Sequence, residues 1–149
     1  MGRLIFNFYQ GLSVVGNWLG LVGLRLVLAY EFWNAGIRKY NGVNWFDRVA
    51  SDFPFPFNIL PADFSWFLAT WTEILGALGL LFGLATRFWA LALIILDVVA
   101  WVTIHAESGY NVCDNGYKLP LLYLLMLIPL LLYGAGKLSL DEIFAGQMR

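Results

Sequence analysis

Residues 19–40 read LGLVGLRLVLAYEFWNAGIRKY, an apolar helical run with Arg25 near its middle and Glu31 less than two turns later. No other stretch constrains the fold as strongly. A run of this length and hydropathy belongs in a bilayer. There, an arginine at the centre of a helix costs at least ~2.5–3.5 kcal/mol on insertion scales. The charges must face protein or water, so other helices have to supply partners. Glu73 and Asp97 each stand alone inside another apolar run, which implies helices that turn their few charged residues toward one another.

Composition agrees. Charged residues make up 13% of the 149, about half the ~25% of a soluble domain. The expected fold is all-α, a polytopic membrane four-helix bundle forming one domain over 1–149, with spans at about 12–37, 63–84, 88–105 and 119–134. A net charge of −1 gives no reason to expect nucleic acid as a partner; the lipid bilayer is the first one. Residues 1–28 mimic a signal peptide, with Arg3 as its basic end. Arg25 interrupts the apolar run and no small-x-small cleavage site follows, so a retained first helix is expected.

Short amphipathic segments at 1–10 and 44–53 are expected to lie in the interface plane. The second would carry Trp45, Phe46, Val49 and Phe53 on one side and end at Pro54 and Pro56. Asp63 or Ser65 can cap the second span, on which Trp66, Thr70, Glu73 and Ala77 share a face. The pairs Gly16/Gly20 and Gly79/Gly83 allow close helix approach, within the chain or in a homo-oligomer. Residues 85–87 make a tight turn, Pro129 should kink the fourth span, and Ser139 with Asp141 opens a terminal helix ending at Arg149. Four spans place both termini on one side; the Lys and Arg balance does not orient them.

At 1.5 Å per residue, Arg25, Glu73 and Asp97 are expected near the middle of their spans. Glu31, Trp33 and His105 fall toward the face of the long first loop, and Asp97, Trp101 and His105 follow one another at intervals of four. The sequence thus predicts a polar column, with Arg25, Tyr30, Glu31, Glu73, Asp97 and His105 as candidates for ligand binding or proton relay. The structural alternative is an Arg25–Glu73 ion pair that fixes helix register. His105 and Cys113, near Glu107 and Asp114, are the side chains a copper or zinc ion would use, although one thiol without dense Cys/His spacing is a poor metal motif. Cys113 is the only cysteine, so an intrachain disulfide is excluded. The Asp114-Asn115-Gly116 turn signal and Tyr117 form a loop suited to a partner. The sequence has no phosphate-binding glycine loop, CxxCH or nucleophile elbow, which argues against a nucleotide or covalently attached haem.

Further short pieces occur in order: Leu24-Arg25-Leu26, Tyr30 to Trp33 and Lys39; Thr72-Glu73-Ile74-Leu75-Gly76; Gly83-Leu84-Ala85-Thr86-Arg87; Thr103-Ile104-His105; Asp114-Asn115-Gly116-Tyr117, Pro120-Leu121 and Tyr123; then Tyr133-Gly134-Ala135-Gly136-Lys137 and Ser139-Leu140-Asp141. This set resembles the DoxX family of small bacterial inner-membrane proteins, and within it the HvfX-like branch. The resemblance implies a bundle in the cytoplasmic membrane with both termini cytoplasmic. It also implies association with redox complexes, since related DoxD-type subunits belong to a thiosulfate:quinone oxidoreductase. The HvfX-like branch is linked to maturation or handling of copper-binding modified peptides.

The expected function is therefore a membrane subunit of a redox or copper-peptide pathway, an accessory to a quinone-linked oxidoreductase, with a quinone or a polar headgroup as ligand of the polar column and a membrane or exported peptide or protein as partner. In that reading Arg25 donates to a ligand oxygen, Glu73 fixes the guanidinium, and Asp97 and His105 pass protons outward. The alternatives are a non-enzymatic docking or assembly protein and a small proton-coupled transporter.

Overall fold

The computed structural model describes residues 2–147, the side chains of 2–5, 7, 14, 17, 18 and 147 excepted. Among these residues the chain is all-helical, with α1 Gly2–Asn41, α2 Ala62–Phe82, α3 Thr86–Ala100, α4 Lys118–Tyr133 and α5 Leu140–Gln147. The expected side-chain role of Arg3 and the helix end at Arg149 lie outside the described residues. Two helical runs, Ala62–Phe82 and Thr86–Ser108, are long and apolar enough to cross a membrane, and α4 is a shorter apolar helix.

The first helix differs most from its expected span. It runs unbroken for 40 residues, ~60 Å at helical rise, whereas α2 has 21. The described side chains up to Leu19 are exposed, and the first buried residue is Arg25. The packed part of α1 therefore begins about nine residues later than expected, which moves every depth read from it. From there the buried positions are Arg25, Leu28, Ala29, Phe32 and Gly36, a stripe at helical spacing.

That stripe meets α2 on one side and α4 on the other, while α3 packs on α2 and α4. Leu28, Ala29 and Phe32 join Ala77 and Leu80, Ala90 and Leu93, and Leu127 and Leu130 in one core. Glycine sets the α1–α2 approach: a Cβ at Gly36 would stand 2.7 Å from Ile74 Cγ1. Gly79 likewise lies against the Trp89 ring, whereas Gly16 and Gly20 have nothing within 4 Å. Of the two glycine pairs, only the second serves packing within the chain.

Helix α2 ends at Gly83 (φ 65°), Ala85 is also left-handed (φ 49°), and α3 follows as an antiparallel return. Residues 44–53 do not form the expected interfacial helix. They make two 3₁₀ turns, Phe46–Arg48 and Ala50–Asp52. Ten residues are too few to hold a helix alone. Asn44 Oδ1 instead accepts the Phe46 N–H at 2.9 Å, and Phe46 packs on Phe53 and Trp66. Asp63 and Ser65 make no cap on α2; Asp63 accepts from Asn44 Nδ2 at 2.7 Å. Ser139 does open the terminal helix, its Oγ accepting the Glu142 N–H at 3.2 Å. Helix α4 runs through Pro129 as one element.

Candidate functional site

Arg25 is not at mid-depth and does not meet Glu73. Its Nε donates to Leu80 O at 2.8 Å, Nη2 to Leu81 O at 3.0 Å, and Nη1 to Ala135 O at 2.9 Å and Leu138 O at 2.7 Å. The first two carbonyls belong to the last turn of α2, where a helix leaves acceptors without partners and carries partial negative charge. The other two lie in the segment between α4 and α5. Asp141 completes the joint: its carboxylate accepts the Ala85 N–H at 2.7 Å and the Thr86 N–H at 2.9 Å, and its own N–H donates to Gly83 O at 2.9 Å. Arg25 and Asp141 thus tie the α2 terminus, the α3 start and the C-terminal segment into one knot.

Glu73 pairs with Lys39. Nζ lies 2.6 Å from Oε1 and 2.7 Å from Oε2. Glu73 is 3% exposed and the Lys39 side chain 20%. Lys39 sits in the last turn of α1, and its long side chain reaches the carboxylate from there. The signal for it was present in the sequence, because position 39 continues the interior stripe of 25, 28, 29, 32 and 36.

The ion pair faces a cavity of about 710 Å³ between α2 and α3. Leu68, Ala69, Ile95, Leu96 and Val99 line its walls, and His105 and Asn115 close one end. Leu68 and Ile95 are also exposed on the outer surface, so the cavity is a groove open sideways. Trp45, Phe46 and Phe53 cover its loop end, and Trp66 contacts the first two edge-on. A groove with apolar walls and a few polar groups is the usual form of a small-molecule site.

The remaining candidates divide. Asp97 is 4% exposed and Oδ2 has no hydrogen-bond partner. It does not line the groove, although His105 does. The expected alignment of the two fails because residues Trp101–His105 form a π turn, which changes the angular step after Ala100. Such turns occur often at functional sites. Glu31 accepts from the Tyr123 hydroxyl at 3.0 Å, on the α1–α4 side. Tyr30 points outward and is 68% exposed. Of the expected column, the groove collects Glu73 and His105 and adds Lys39 and Ser65. In the sequence, Ser65 has the place of a helix cap, and Tyr123 stands out only as part of a motif.

A family model described as DoxX matches residues 20–106, more than half of the chain. The chain belongs to the DoxX family. A 54% identical relative from Haemophilus influenzae, aligned over 129 residues covering 87% of this chain and 85% of its own, is described as an uncharacterized protein. No solved structure matches.

In this DoxX family membrane protein, the motif pieces fall into two groups. Those around Arg25, Gly83 to Thr86, Ala135 and Asp141 meet in the knot; Lys39, Glu73 and His105 meet at the groove. The loop between α3 and α4 is fixed beside the latter. His105 Nδ1 lies 2.6 Å from Asn115 O; a carbonyl only accepts, so Nδ1 carries the hydrogen. Asn115 is left-handed (φ 61°), and Tyr117 stacks on Trp101 at 5.4 Å and 8°. Asp114 N–H donates to Asn111 Oδ1 at 2.8 Å. Gly116 is buried and Cys113 exposed. Among the described residues, no group of three His, Cys, Asp or Glu side chains is placed to hold a metal ion.

Proposed function

We propose that this protein is a four-span subunit of the bacterial inner membrane that holds a quinone-class ligand in the groove between α2 and α3. The observation that carries this reading is a sideways-open apolar groove with a half-buried Lys39 paired to a buried Glu73 on its wall. Charged groups at such depth are costly and are retained mainly for function. The helix ends that bear the knot face the cytoplasm, together with both termini, and the loops over the groove face outward. Lys39, Glu73 and His105 contact the ligand. Arg25 holds the bundle, and Asp97 with Tyr123 and Glu31 forms a polar region on the opposite side of α3. The protein acts as an accessory to an oxidoreductase.

Native mass spectrometry of the protein released from its own membranes tests this. A bound mass matching a quinone is expected; phospholipid alone, or no bound species, contradicts it.

A second reading, in the HvfX-like sense, makes the protein a docking site for a copper-binding modified peptide during maturation. It rests on the preformed loop between α3 and α4, where Asn115 O meets the His105 ring and Tyr117 is held by Gly109 O through its N–H and by the Trp101 ring. Loop substitutions that abolish peptide maturation without changing ligand content would favour it.

A further inference from the structure

Ser65 is 7% exposed, lines the groove, and its Oγ has no hydrogen-bond partner. A buried hydroxyl left unpaired costs about 1–3 kcal/mol, and nearly all such groups in proteins find a partner. The other groups lining this groove are apolar, apart from His105 and Asn115 at the same end, and Thr72 and the ion pair further along α2. Helix pairing sets the level of Ser65: Gly76 abuts Leu93 and Gly79 abuts Trp89. Continuing that antiparallel register brings Ser65 opposite Thr103 and Ile104, next to His105, which lines the same groove.

The other end also has a donor to spare. An ammonium has three N–H groups, and Glu73 takes two contacts from Lys39. Ser65 and Glu73 are eight residues apart on α2, an axial distance of ~12 Å. We propose that Ser65 Oγ and the Lys39 ammonium are paired anchors for the two opposed oxygens of a ring ligand. A para-dione ring has oxygens roughly 5 Å apart by covalent geometry. Adding two hydrogen bonds of about 2.8 Å each gives a span of about 11 Å, comparable with the axial step from Ser65 to Glu73, whose carboxylate the Lys39 ammonium contacts. The flat faces of the ring lie between the α2 and α3 walls, and its tail leaves through the side opening past Leu68 and Ile95. Access is from the bilayer, because Trp45, Phe46 and Phe53 cover the loop end. This inference rests on the groove reading above and adds to it the hydroxyl anchor and the two-ended geometry.

The test uses the full chain in mild detergent and two probes, decyl-ubiquinone and 4-decylphenol, with retained probe extracted after gel filtration across a concentration series. Wild type should hold the dione at least tenfold more tightly than the phenol, the scale of one buried hydrogen bond. Ser65→Ala should remove most of that preference, and Ser65→Thr, which keeps the hydroxyl, should restore it. Melting temperatures of all three proteins, taken in the same detergent, separate a folding defect from lost contact. Undiminished dione preference in a folded Ser65→Ala protein overturns the anchor while leaving the groove as a ligand site. Failure of wild type to retain decyl-ubiquinone overturns both.

Discussion

Arg25 and Lys39 lie on the same stripe of α1, yet their surroundings give them different work. Four carbonyl acceptors from two separate segments surround the Arg25 guanidinium and take up four of its five N–H donors. Arg25→Ala should lower stability by roughly 3 kcal/mol or more, because it leaves several buried acceptors unpaired. Arg25→Lys should recover little, since one compact ammonium cannot reach all four oxygens. Melting in detergent checks both, and a stable Arg25→Ala protein would contradict the knot. At the groove the pattern reverses. Lys39→Met alone strands Glu73 and should cost about 3–5 kcal/mol, whereas Lys39→Met with Glu73→Leu should be near neutral. A double-mutant cycle on melting free energy measures that difference.

The sequence marked Glu73 and Asp97 as interior groups correctly, since a lone carboxylate in an apolar run has few other places to go. Their partners were not legible. Pairing depends on relative depth, and the apolar residues before Leu21, whose described side chains are exposed, displace every depth along α1. With the packed part of α1 starting near Leu21, Arg25 falls at the end of the bundle and Lys39, apparently a loop residue, falls within it. Ser65 was hidden differently: a serine in the first turn of a helix has an ordinary local explanation as a cap, and only the unpaired oxygen reveals otherwise.

Elements fared better where periodicity was long. The ranges of α2 and α4 match expectation to within about two residues, and α3 is displaced only by its π turn. Residues 44–53 fared worst, because their apolar side chains are spent on Trp66 and each other instead of on a helical face. Helix packing supplies its own contrast. Gly79→Leu should drive a side chain into Trp89 and prevent the α2–α3 return from closing, with a clear loss of folded yield. Gly16→Leu and Gly20→Leu, which meet open space, should leave the melting temperature of the monomer unchanged. Comparing these variants by size-exclusion profile and melting distinguishes packing glycines from incidental ones; equal damage from all three would contradict the helix assignments.

For the whole molecule, the proposed topology puts the groove near the outer leaflet and the knot near the cytoplasm. Cys113 is the sole cysteine and is exposed, so it reports on orientation without any engineering. A membrane-impermeant maleimide should label it in intact spheroplasts; labelling only after lysis would invert the topology. The central claim is that the ligand is held by the Lys39–Glu73 groove and the fold by Arg25. The most direct measurement is the quinone content per folded molecule of the Lys39→Met/Glu73→Leu protein against wild type, each purified from the same membranes. The account predicts near-stoichiometric quinone in wild type and almost none in a double variant that melts at about the same temperature. Equal quinone in the two proteins, or none in either, would contradict it.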